Sequence, residues 1–129
     1  MFFSETMKKE IIVSFGPEFE EEYNSLLSES EKEKMKGISN SFNMQLLKAI
    51  DRAIELLKIQ PDYGIHIPKN LIPKKFIEKY GINNLWKVNI PHGWRLLYTL
   101  STGKLEIITI LLEFMDHDEY NKLFGYKKR

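Results

Sequence analysis

Apolar and polar positions alternate most regularly in the second half of the chain. Over Leu85–Ile90, apolar Trp86, Val88 and Ile90 interleave with Lys87 and Asn89, the period of a half-buried strand. Pro91-His92-Gly93 reads as a hairpin turn, since Pro fixes one φ and Gly tolerates a positive one. A second strand is expected over Trp94–Leu100, a turn at Ser101–Lys104, and a third strand over Leu105–Phe114. That last run is almost wholly apolar and β-branched, which predicts a central strand covered on both faces.

The first half reads as a strand and two helices. Glu10–Phe15 is a short strand, and Gly16-Pro17-Glu18 opens a helix with Pro at its first turn and glutamates at its positive end. Phe19, Tyr23, Leu26 and Leu27 fall at helical spacing. Ser28–Gly37, charged and polar, either continues that helix or bends a helical hairpin. Ser39-Asn40-Ser41 offers N-caps for a second helix, whose apolar stripe is Phe42, Leu46, Leu47, Ile50, Ala53, Ile54 and Leu57. Gln60–Gly64 stops it. Residues 65–84 are broken by Pro68 and Pro73; Pro73 starts a short helix through Tyr80 that Gly81 ends. The order β-α-α-(short α)-β-β-β-α predicts an α+β domain with an antiparallel sheet and a helical hairpin packed on one face.

The first hairpin carries a sharper expectation. A three-residue loop at Pro91–Gly93 sets Ile90 opposite Trp94, Asn89 opposite Arg95 and Lys87 opposite Leu97. Directly paired residues share a face. Lys87, Asn89 and Arg95 then emerge together, with Trp86, Val88, Trp94, Leu96 and Tyr98 on the other side. A one-residue slip would undo this. An arginine in mid-sheet beside a lysine is a candidate anion site; the plainer reading is an exposed or ion-paired strand arginine.

Length and composition add bounds. The 129 residues suit one domain, with 43% hydrophobic and 29% charged content. Residues 1–9 are expected as a frayed start, with Met7 available as an alternative initiator. No cysteine is present, which excludes disulfides, thiol catalysis and cysteine-based zinc sites. No apolar run reaches membrane-spanning length and no signal peptide is evident, so the expectation is a cytoplasmic protein without membrane contact. The net charge is +1, but residues 1–36 hold five Lys against nine Glu, whereas 63–105 hold six Lys and one Arg against one Glu. The basic 65–84 connection, with Lys69, Lys74, Lys75 and Lys79, reads either as a phosphate-contacting edge or as a solubilised insertion. The tail Tyr126–Arg129 reads as a charged end or a nucleic-acid contact.

No metal site is assigned. Glu113 and His117 stand four apart with Asp116 and Asp118 nearby, but no third well-spaced ligand is identifiable. His66 and His92 sit in loops. No Gly-rich phosphate loop or nucleophile elbow is present.

Trp86-Lys87-Val88, then Gly93-Trp94-Arg95-Leu96-Leu97-Tyr98, then an apolar strand ending in His117 and Tyr120 resembles the RelE/ParE superfamily of toxin–antitoxin toxins. The family pattern is an aromatic-basic-apolar strand, a turn, Gly-aromatic-Arg-apolar-apolar-Tyr, a hydrophobic strand, and a segment ending in Tyr. The likeness covers about half the chain. It implies a single RelE-like domain over residues 1–129 with a short C-terminal helix, and a RelE-like toxin that cuts mRNA, on the ribosome or free, with neither metal nor cofactor. It implies an antitoxin partner that wraps an amphipathic helix around the toxin. By the same resemblance Arg95 is a phosphate clamp, Tyr120 a general base or base-stacking group, and His117 an acid or base one helical turn before it. Lys87 adds charge on the Arg95 face beside Asn89, and Lys74 and Lys75 would contact phosphate. The family often carries a basic cluster before the tyrosine, whereas here Glu113–Glu119 holds four carboxylates and no Arg or Lys. A gyrase-directed ParE-like toxin and a non-catalytic binding module of the same fold are the alternatives.

Overall fold

The computed structural model describes residues 9–126. Residues 1–8 of the expected frayed start, Met7 among them, and the tail residues Lys127–Arg129 lie outside that range. In chain order the elements are β1 (Glu10–Phe15), α1 (Pro17–Met35), α2 (Phe42–Ile59), β2 (Ile65–His66), α3 (Lys74–Tyr80), β3 (Trp86–Ile90), β4 (Trp94–Thr102), β5 (Glu106–Met115) and α4 (His117–Phe124). No helix among these residues is long and apolar enough to cross a membrane.

The charged Ser28–Gly37 stretch continues α1 rather than bending it. Glu18 and Glu20 occupy the first turn and Lys32 and Lys34 the last, each suiting the helix dipole. The exposed pairs Lys32–Glu29 (3.6 Å) and Lys34–Glu31 (3.8 Å) add a few tenths of a kcal/mol each, on the order of 0.3. Gly37, at φ 81°, then turns the chain. Ser41 caps α2: its Oγ accepts from the Met44 amide at 3.1 Å and donates to Glu33 of α1 at 2.6 Å. One side chain thus starts α2 and ties it to α1. Ser41→Ala is expected to cost about 1 kcal/mol in a denaturant titration.

The five strands lie in the order β1-β5-β4-β3-β2. The α+β class, the helical hairpin on one face and the short C-terminal helix stand as expected. The sheet differs from a wholly antiparallel one in a single pairing: β1 runs parallel to β5, Glu10 opposite Glu106 through Phe15 opposite Leu111. Strands joined by tight turns must run antiparallel, as β3, β4 and β5 do; β1 reaches β5 across most of the chain and is free of that constraint. The β3–β4 register is the expected one, with Ile90 opposite Trp94, Asn89 opposite Arg95 and Lys87 opposite Leu97.

Two cores flank this sheet. On one face Phe19 and Leu26 of α1 and Leu46, Ile50, Ala53, Ile54 and Leu57 of α2 pack on Val88, Leu96, Tyr98, Leu111 and Phe114. On the other, Ile67, Ile72, Phe76 and Tyr120 pack on Leu97, Leu112 and Met115. Residues 65–84 are therefore a covering layer whose lysines point outward, rather than an insertion clear of the core. A register shift in β4–β5 sets Leu97 opposite Glu113 and Tyr98 opposite Leu111, leaving Leu112 extra. This bulge lets Leu112 and Met115 serve the second core while Leu111 and Phe114 serve the first.

Tyr98 anchors the loop after α2. Fully buried, its hydroxyl donates to the Pro61 carbonyl at 2.8 Å and accepts from the Gly64 amide at 3.0 Å. That bond pattern holds β2 on the edge of β3.

Candidate functional site

The second face of the β3–β4 hairpin presents Lys87, Asn89 and Arg95, with Asn89 directly across from Arg95. The turn that fixes this places His92 at φ 67° and Gly93 at φ 81°. The left-handed conformation favours glycine, and histidine adopts it more readily than a β-branched residue would. After β5 the chain reverses at Asp116, whose carboxylate accepts from the Glu119 amide at 2.9 Å and caps α4. One turn later α4 lays Tyr120 on the same face.

Lys87 and Arg95 both sit against the Tyr120 ring, the ammonium 5.1 Å and the guanidinium carbon 5.5 Å from its centroid. Tyr120 is buried at 4% exposure and stacks on Phe124 at 4.4 Å. The ring thus keeps two like charges close together without a carboxylate between them. Arg95 makes no ion pair among the described residues; one terminal nitrogen donates to the Trp94 carbonyl at 3.0 Å, and its Nε is buried with no hydrogen-bond partner. Burial and then the Arg95 charge lower the Lys87 pKa. The half-buried guanidinium, without an ion pair among the described residues and beside the Lys87 ammonium, can receive an anion on its open side.

The other sequence candidates stand further out. His117, exposed, packs against the hairpin turn, where a Cβ on Gly93 would lie 3.1 Å from the His117 Cβ. Its Nε2 is 3.1 Å from the Asn121 amide nitrogen. Lys74 and Lys75 are exposed on α3. Lys75 lines a cleft of about 760 Å³ between α3 and α4, which Glu113, Glu119 and Lys122 also line.

The acidic stretch before Tyr120 is partly engaged elsewhere. Glu113 accepts from the Tyr80 hydroxyl and pairs with Lys79 at 3.5 Å, and Lys79 also reaches Glu18 at 3.8 Å. Glu113 and Glu119, after burial, help to raise Glu22 of α1 to about 7. These carboxylates therefore form a shared network with α1 and α3. Nothing in the sequence pairs Tyr80 with Glu113 across 33 residues, and only the second covering layer creates that contact.

The chain is similar to two solved toxin structures. One is a YoeB/ParE toxin from Agrobacterium tumefaciens, at 14% identity and a TM-score of 0.48, with 81% of this chain and 98% of that one covered. The other is a YoeB dimer from Staphylococcus aureus, at 17% identity and a TM-score of 0.45, with 82% and 98% covered. No protein-family model matches the sequence, and no curated protein sequence matches it.

Tyrosine ionisation gives this architecture a pH limit. Burial pushes Tyr98 up to about 12, and burial followed by the neighbouring Tyr126 pushes Tyr120 to about 12 as well. Each folded-state pKa lies above the unfolded value of 10.0. The fold therefore favours the neutral phenols, and stability is intact below the unfolded value and lost as pH rises through the folded one. Tyrosinate absorbance and loss of near-UV circular dichroism are expected to rise together between about pH 10 and about pH 12. Complete ionisation of the tyrosines, buried Tyr98 and Tyr120 included, without loss of structure would contradict it.

Proposed function

We propose that this chain is a RelE-like toxin that acts as a metal-independent mRNA endoribonuclease, on the ribosome or on free mRNA, and that a cognate antitoxin protein restrains it in the cytoplasm. The observation that carries this reading is the pair of cations, Lys87 and Arg95, held on the Tyr120 ring with no ion pair among the described residues. The resemblance read from Trp86 to Tyr120 supplies the substrate.

In the proposed reaction a ribose 2′-oxygen attacks the adjacent phosphorus, its proton passes to a base, and the 5′-oxygen leaves with a proton. Arg95 and Lys87 hold the non-bridging oxygens as negative charge builds on them. Tyr120, with its phenol held protonated, keeps both cations in place and offers a hydroxyl donor rather than a base. His117, at the exposed rim, exchanges protons with the attacking and leaving oxygens. Asn89 contributes a neutral hydrogen-bonding group beside Arg95, and Lys74 and Lys75 attract the flanking RNA backbone.

The test is tightly induced expression, with growth recorded and mRNA ends mapped by primer extension. Wild type is expected to arrest growth and create new ends; Arg95→Ala combined with Tyr120→Phe is expected to create none. Arrest without new ends would turn the reading toward a gyrase-directed toxin. No arrest from a folded protein would turn it toward a non-catalytic binding module, which the carboxylates around the α3–α4 cleft favour.

A further inference from the structure

His117 and Asn121 stand four apart on α4, so their side chains meet on one face of the helix. The Asn121 side-chain nitrogen lies 3.1 Å from Nε2 of the His117 ring. An amide nitrogen brings hydrogens to a contact, so Asn121 donates and Nε2 accepts. A neutral imidazole holds one N–H and one acceptor nitrogen. With Nε2 accepting, the ring proton belongs on Nδ1. The backbone of Asn121 is also fixed, because its carbonyl accepts from the Tyr126 amide at 2.8 Å where Gly125 ends α4.

The other side of the ring meets the β3–β4 turn. Gly93 stands there at φ 81°, and a Cβ on it would lie 3.1 Å from the His117 Cβ, 3.6 Å from Cγ and 3.9 Å from Nδ1. The first of these distances is tighter than ordinary packing. Glycine therefore lets the imidazole close on the turn with Nδ1 on that side, two residues before Arg95 in the chain. The ring is exposed, so a polynucleotide can reach it. One nitrogen is thus taken up by α4 and the other is left beside the turn that leads to the cation pair.

We infer that Asn121 is a positioning residue for His117: it engages Nε2 and leaves Nδ1, the nitrogen beside Gly93, as the one that exchanges protons with RNA. That last clause rests on the nuclease reading, whereas the hold on the ring does not. In the resting ring Nε2 accepts from the amide nitrogen. In the ring that acts as a base the proton sits on Nε2, and Asn121 turns its amide to accept it through Oδ1. Nδ1 then takes the proton of the attacking 2′-hydroxyl. The imidazolium, still bound to Oδ1, returns a proton from Nδ1 to the departing 5′-oxygen as its bond to phosphorus breaks. Asparagine suits this place because its two ends match both forms of Nε2.

The tautomer of His117 is read from long-range proton–nitrogen correlations of the imidazole rings, without RNA and at a pH where the ring is neutral. The chain has three histidines, so substitutions of His66 and His92 assign the signals. Wild type is expected to show the Nδ1–H pattern, Asn121→Leu a mixture of both tautomers, and Asn121→Asp the Nε2–H pattern, since a carboxylate only accepts. In mRNA cleavage, Asn121→Leu is expected to lower kcat by about tenfold with little change in KM, a part of what a positioned proton-transfer group supplies. Asn121→Asp keeps the acceptor for Nε2–H and is expected to recover most of that loss, which a merely structural role would not predict. An Nε2–H pattern in wild type, a tautomer unmoved by Asn121→Leu, or an equal fall in kcat in both variants would overturn the inference. Absence of cleavage by wild type would overturn the nuclease reading, while the tautomers still judge the hold of Asn121 on the ring.

Discussion

Arg95→Ala is expected to lower the rate of RNA cleavage by about 10²–10³-fold, the range for removing one preorganised donor at a developing oxyanion. The expectation rests on how Arg95 is held. Tyr120 fixes its guanidinium on one side, the Trp94 carbonyl takes one terminal nitrogen, and the buried Nε has no protein acceptor. A phosphate oxygen would meet the half-buried guanidinium on its open side rather than at the enclosed Nε. Arg95→Lys keeps the charge but loses the planar fork, so it should recover only part of the rate. The same substitutions separate chemistry from folding. Arg95→Ala should reduce the slope of RNA affinity against salt by about one counterion. Its denaturant midpoint should move far less than that of a core substitution. A variant that loses cleavage only because it unfolds would show the reverse.

Gly64→Ala is expected to destabilise the fold by about 1–3 kcal/mol, the range for forcing an extra carbon into a packed site. An added Cβ would sit 2.6 Å from the Lys87 carbonyl oxygen and 2.7 Å from the Tyr98 hydroxyl. The first of these is backbone and cannot rotate away. Relief would require β2 and β3 to separate, which also costs the Gly64–Tyr98 hydrogen bond. Because Lys87 carries the crowded carbonyl, its ammonium should shift relative to Tyr120, and cleavage should fall together with stability. Tyr98→Phe removes the hydroxyl but leaves the Lys87 carbonyl, so it should not rescue Gly64→Ala. Denaturant titration with an unchanged m-value and a lower midpoint is the expected readout. A midpoint equal to wild type would show that the loop after α2 can move without disturbing β3.

The part of the site that was legible in the sequence is the part set by local rules. Pro91-His92-Gly93 fixes the loop length, the loop length fixes the register, and the register puts Lys87, Asn89 and Arg95 on one face. Strand β1, the cap at Ser41 and the helix ended by Gly81 follow from equally local signals. What escaped depends on contacts between distant segments. The apolar run of β5 hides its bulge, because when every residue is apolar no alternation marks the extra Leu112. The parallel direction of β1 needs knowledge of its partner, and β2 is too short to leave a periodic trace. Ile67, Ile72 and Phe76, scattered among prolines and lysines, gave no sign that they roof a second core. Tyr120 was legible only by resemblance, and its burial, which raises the pKa of the phenol, comes with packing against distant β3 and β4 and against Phe124. Phe42 shows the converse: helical spacing assigned it to the core, but its place at the start of α2 leaves it at the mouth of the hairpin.

The central claim is that the Lys87–Arg95–Tyr120 face receives an RNA phosphate. It is tested most directly by following arginine Nε–H resonances during titration with a 2′-O-methyl RNA oligonucleotide, which binds without being cut. The chain contains three arginines, Arg52, Arg95 and Arg129, so the signals can be assigned by single substitutions. The expected result is a large, saturable shift of the Arg95 resonance with matching changes at Lys87 and the Tyr120 ring, while Arg52 stays unmoved. Saturation of the protein with RNA while Arg95 keeps its free position would contradict the claim.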